Sequence, residues 1–152
     1  MSKGKKVIIL LAALSLLVTG LIVYRRREIP LTDVLPDGDW TGVLILQGDP
    51  DDPEREWEVP VPADGVLGAV SAARVTRGGG KPRLSDGYFQ IKLYRATGDA
   101  TVLYVDARGE VAVAANMDLD HYRYYTGGEE LYQALLALCA DKTVYSALTG
   151  SI

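Results

Sequence analysis

Cysteine and histidine are almost missing from this 152-residue chain: each occurs once, as Cys139 and His121. One cysteine excludes an intramolecular disulfide and any multi-cysteine zinc site. One histidine with no partnered nucleophile argues against Ser/His and Cys/His hydrolysis. No Gly-x-Ser-x-Gly elbow occurs, and Cys139 falls on the apolar side of a helical pattern, where a thiol is inert. Acidic residues are missing from the first 27 positions, and every kind of charge is missing from Val7 to Tyr24. Six of the 16 basic side chains lie in those first 27 residues, so residues 28–152 hold ten basic against 20 acidic groups. That segment therefore carries a formal charge of about −10. Nucleic-acid binding needs Lys and Arg to neutralise phosphates, so no nucleic-acid partner is expected.

The uncharged run VIILLAALSLLVTGLIVY also lacks proline. As a helix it spans ~27 Å, close to the ~30 Å hydrocarbon core of a bilayer. Ser15 and Thr19 can bond back to their own backbone, and Tyr24 suits the headgroup level. A secretory signal has a shorter apolar stretch followed by a cleavage site, whereas this run ends in Tyr24 and Arg25, Arg26 and Arg27. A buried helix of a soluble protein would show a polar face, and none is present. The expectation is one uncleaved transmembrane helix at Val7–Tyr24, behind a basic tail at 1–6, with the bilayer as partner. Lys3, Lys5, Lys6 and the chain amine nearly balance Arg25–Arg27 in the positive-inside count. A short basic tail resists translocation and long domains cross largely regardless of charge, so the C-terminal domain is expected outside the cell membrane.

Residues 25–39 read as a basic stop and a linker broken by Pro30, Pro36 and Gly38. Residues 40–152 then have the length of one domain. Thr41–Gln47 and the alternating Glu56–Val61 read as strands joined across the acidic turn Asp49–Glu54, with Pro60 marking an edge or an end. Asp64 is expected to cap a short helix weakened by Gly65 and Gly68. Tyr88–Arg95, Thr101–Asp106 and Glu110–Ala115, separated by glycine turns, read as an antiparallel meander. His121–Thr126 adds a further strand, and Glu129 to about Asp141 a helix packing Leu131, Leu135, Leu138 and Cys139 on the sheet. The fold class is α+β, in the order β-β-α-β-β-β(-β)-α behind the transmembrane helix.

Two groups of residues are candidates for contact. Arg77, Lys81 and Arg83, with Arg74, form a basic patch on an acidic domain, suited to an anionic partner or to nothing but solvent. Its Gly78-Gly79-Gly80-Lys81 string is no phosphate loop, because Pro82 follows where Ser or Thr must. Tyr122 and Tyr124 suit carbohydrate or protein contact, but aromatic residues are ordinary strand formers, and the favoured reading is that alternate tyrosines fill the sheet face beneath the last helix. Asp49, Asp51, Asp52 and Glu54 could hold calcium, without EF-hand spacing, or simply solubilise a turn. Asp118, Asp120 and His121 offer metal-ligand types, but a zinc site wants more nitrogen or sulfur. No metal and no cofactor are expected.

YFQIKLYR, TVLYVDARGEVAV and the closing GGEELYQALLAL, behind the anchor, give an order of elements that resembles small uncharacterised bacterial single-pass envelope proteins with an α+β domain. The likeness is one of architecture and implies an anchored accessory domain without a known active site. Three readings follow. The first is a non-enzymatic extracytoplasmic domain contacting an envelope protein or an anionic wall polymer. The second is a cytoplasm-facing tethered regulatory or assembly domain. The third is a cell-wall hydrolase using carboxylates.

Overall fold

A computed structural model describes residues 3–48, 56–59, 61–78, 80–81, 87–115 and 121–140. Helix α1 runs from Lys3 to Arg26, its basic ends included, and none of its residues is buried. At 1.5 Å per residue its 24 residues reach ~36 Å. It is the one helix among the described residues long and apolar enough to cross a membrane.

Only Arg27 and Glu28 separate α1 from the sheet. Strand β1 (Ile29–Pro30) pairs antiparallel with β4 (Arg74–Arg77), Ile29 facing Val75. A 3-10 turn follows at Leu31–Asp33. Leu31 is completely buried, and its N–H donates to the Ala73 carbonyl at 2.9 Å. Leu35 is buried as well. The stretch expected to be a linker therefore begins as an edge strand and a core plug. Proline is tolerated in β1 because an edge strand leaves one row of N–H groups unused.

The remaining strands are β2 (Trp40–Gly48), β3 (Glu56–Glu58), β5 (Phe89–Arg95), β6 (Ala100–Val105), β7 (Val111–Ala114) and β8 (Arg123–Thr126). Their order in the sheet is β1-β4-β8-β7-β6-β5-β2-β3, with every pair antiparallel. The expected β2–β3 hairpin forms, with Gln47 opposite Trp57. The expected meander is β5 to β8; its turns use Gly98 and Gly109, both at positive φ, where other residues are strained. Strand β4 has no counterpart in the sequence reading, which places Arg77 in a basic patch with Lys81 and Arg83.

Helices α2 (Ala63–Ala72) and α3 (Glu129–Ala140) cover one face. Pro62, not Asp64, holds the N-cap position of α2, with no side-chain cap bond. Gly65 has a packing reason, since a Cβ there would stand 3.0 Å from Leu138 of α3. Val66, Val70, Leu131, Leu135 and Cys139 bury against Ile45, Phe89, Ile91, Leu93, Leu103, Val105 and Val111. Chain alternation then sends Leu46, Gln90, Tyr104, Ala112 and Tyr124 to the opposite face, because these residues are register partners across β2, β5, β6, β7 and β8.

The β6–β7 turn is built on Asp106, fully buried at the end of β6. Its carboxylate accepts from the backbone N–H groups of Arg108 and Glu110, each at 3.0 Å, and from the Arg108 guanidinium at 3.2 Å. A buried carboxylate so fully bonded acts as the core of a turn.

Candidate functional site

The face away from the helices carries four tyrosines in a row. Tyr88 lies 5.7 Å from Tyr104, Tyr104 lies 5.9 Å from Tyr122, and Tyr122 stacks on Tyr124 at 6.3 Å, ring centre to ring centre. All four are half-buried, and Val102, Ala112 and Ala114 form a small-residue floor among them. Gly48 makes room for the first ring: a Cβ there would meet the Tyr88 ring at 2.5 Å. The Gln90 side chain is 6 % exposed, and its amide N–H donates to the Tyr104 hydroxyl. The amide oxygen of Gln90 is buried with no hydrogen-bond partner. Burial raises the Tyr122 hydroxyl above its ordinary pKa, a hydrogen bond with Tyr104 opposes this, and charge on Tyr124 adds to it.

Tyr125, one residue on, is the tyrosine that goes beneath the helices; it is 6 % exposed. It is joined there by Tyr132, whose ring lies 5.3 Å from that of Phe89 and whose hydroxyl donates to the Gly87 carbonyl. The reading in which Tyr122 and Tyr124 fill the sheet beneath α3 is thus corrected: alternation gives that place to Tyr125 alone.

The basic group sits on the neighbouring strand. β4 pairs with β8, with Arg77 opposite Tyr125, and the Gly78 N–H donates to the Tyr124 carbonyl at 2.9 Å. Gly78 is needed here, because a Cβ would lie 3.0 Å from that carbonyl oxygen. The Arg77 guanidinium stacks over the ring of Tyr24, at the end of α1, 4.5 Å from its centre. Arg74 makes a 3.6 Å ion pair with Glu28. Both partners are more than half exposed, so the pair adds little stability. Arg77 and Lys81 are exposed, while Arg83 lies outside the described residues. Arg77 and Tyr124 thus meet at the β4–β8 seam, on opposite faces of it.

Other candidates fare less well. Asp49–Glu54, Asp118 and Asp120 lie outside the described residues. His121 is exposed, and no group of three potential metal ligands comes together among the described residues. Cys139 is buried, and that burial pushes its thiol pKa up, away from nucleophilic use. One arrangement has no sequence signal at all. Arg95 stacks over Trp40, 4.9 Å from the ring centre, with its Nε and one terminal nitrogen buried and unbonded. Its partner is more than fifty residues away in the chain, so only the β2–β5 pairing reveals it. Asp106 was also missed, although an Asp opening a turn that ends in glycine is a legible Asx signature.

No protein-family model, curated protein or solved structure matches this chain.

Proposed function

We propose that this protein is a single-pass, membrane-anchored contact domain, non-enzymatic and facing the cell exterior, whose tyrosine-lined sheet face receives another envelope protein. The observation that carries this reading is the uncovered row Tyr88, Tyr104, Tyr122 and Tyr124, on the side of the sheet that the helices leave free. Tyrosine offers large contact area at low entropic cost, with a hydroxyl to satisfy a partner's polar groups. The contact surface is the four half-buried rings themselves, packed over a floor of Val102, Ala112 and Ala114 that is already buried. A protein suits this surface better than an anionic wall polymer, since the domain is itself strongly acidic.

A carboxylate hydrolase fits less well. The sheet face away from the helices carries mostly tyrosine, alanine, valine and Gln90, and the one buried carboxylate among the described residues, Asp106, is committed to its own turn. The cytoplasm-facing reading differs only in the side of the membrane.

The test is photo-crosslinking in intact cells with the label at Tyr124, and at Glu130 on α3 as control. A discrete adduct from Tyr124 that disappears in Tyr104→Ala supports the reading. Equal labelling from both positions, or none from either, removes it. Protease shaving of spheroplasts with a C-terminal tag decides the side: loss of the tag means outside, and protection until lysis means inside.

A further inference from the structure

We propose that the β1–β4 edge and the Gly80–Lys81 loop form a headgroup-binding collar for anionic phospholipids, completed by the arginines that end α1. The inference rests on the reading that α1 spans a bilayer. It begins from depth. Val7–Tyr24 matches the ~30 Å hydrocarbon core, so Tyr24 lies where acyl chains give way to headgroups. Arg77 sits 4.5 Å over the Tyr24 ring, so a residue of the folded domain is held at that same depth. The tie is not a loose one. Two residues link α1 to β1, β1 pairs with β4, and β4 carries Arg74 and Arg77.

Charge points the same way. Arg25, Arg26, Arg27, Arg77 and Lys81 are all exposed, and Glu28, the acid beside them in sequence, is already paired with Arg74. The rest of the domain is acidic, with 20 acidic side chains beyond residue 27. A domain of that charge is repelled by an anionic surface everywhere except at a basic edge. The sheet brings its basic edge to the anchor and leaves β3, which follows the acidic Asp49–Glu54 segment, at the other end of the strand order. Seven inter-strand steps of about 4.8 Å separate the two edges along the sheet. A wall polymer would have to reach into the headgroup layer to meet Arg77; a phosphodiester headgroup is already there.

The experiment uses the full chain reconstituted into phosphatidylcholine vesicles containing trace spin-labelled phosphatidylglycerol or spin-labelled phosphatidylcholine. Electron paramagnetic resonance reads the motionally restricted fraction of each. The wild type is expected to restrict phosphatidylglycerol preferentially, and Arg77→Gln/Lys81→Gln to lower that preference by about twofold or more, since each basic group near the surface adds its own attraction. Lys81→Gln alone, outside every strand, gives a smaller drop and guards against misfolding of the double variant. A preference unchanged in both variants overturns the proposal and assigns lipid selectivity to Arg25–Arg27. If neither lipid is restricted, α1 does not sit in the bilayer and the anchor reading itself fails; restricted phosphatidylcholine with no preference rejects the collar alone.

Discussion

Leucine, isoleucine and valine do opposite things in the two parts of this chain. In α1 they are all exposed, Leu14 at 57 % and Leu16 at 74 %. In the sheet and in α2 and α3 most residues of the same types are buried, Val43, Leu67 and Leu138 are partly buried against the core, and Leu136 is the one exposed large apolar side chain among the described residues outside α1. A globular domain that buries its apolar residues so thoroughly has no reason to leave 24 residues of helix bare in water. The contrast separates two parts: the domain makes its own apolar interior, whereas α1 is an apolar helix long enough to cross a membrane, as the proposed anchor requires.

The sharpest break of this comparison truncates one apolar residue in each part. Phe89→Ala removes a fully buried ring and should destabilise the full chain in detergent by about 3–5 kcal/mol, read by urea unfolding through tryptophan fluorescence. Leu14→Ala should leave that unfolding curve unchanged, because Leu14 packs against nothing in the domain. Equal loss from the two variants would mean that α1 is part of the domain core. Next in size is the turn. Asp106→Ala strands two backbone N–H groups and should cost about 3 kcal/mol, while Asp106→Asn, which keeps an acceptor oxygen, should cost less.

The smallest effect is a pH dependence confined to the domain. Burial first, then the Asp106 and Cys139 charges, raise the Tyr132 hydroxyl above its ordinary pKa of 10.0. A raised folded value means that the neutral form is the one the fold favours. Its contribution is complete below the unfolded value and is lost as pH rises from there through the folded one. Tyr132→Phe gives up the bond to Gly87 but should flatten the alkaline fall in stability above pH about 10. An alkaline limb as steep as that of wild type would place its cause elsewhere.

What was legible in the chain tracks locality. The apolar helix over Val7–Tyr24 could be read because every residue in it says the same thing. The meander could be read because its partners are adjacent and its turns carry glycines that the backbone requires at Gly98 and Gly109. Strands β1 and β4 were illegible for the converse reason: Ile29–Pro30 and Arg-Val-Thr-Arg have almost no pattern of their own, and each is made a strand by partners about fifty residues off. At the candidate site, HYRYYT places tyrosines at 122, 124 and 125, so it holds residues of both alternation classes. Nothing local says which class meets the helix. Val111 opposite Tyr125 and Ala112 opposite Tyr124 make the choice, through a register set by β7.

The direct passage from α1 into β1 has a mechanical side. With α1 as the proposed anchor, a force pulling the domain away from it would enter the fold through Glu28 and load β1 before anything else. β1 holds to β4 by two residue pairs, Ile29 with Val75 and Pro30 with Arg74. Immediately behind it stands Leu31, buried and bonded to Ala73. If α1 is the proposed anchor, this edge is the first part of the fold to carry tension, and the buried Leu31 with its bond to Ala73 stands directly behind the two pairs that would peel.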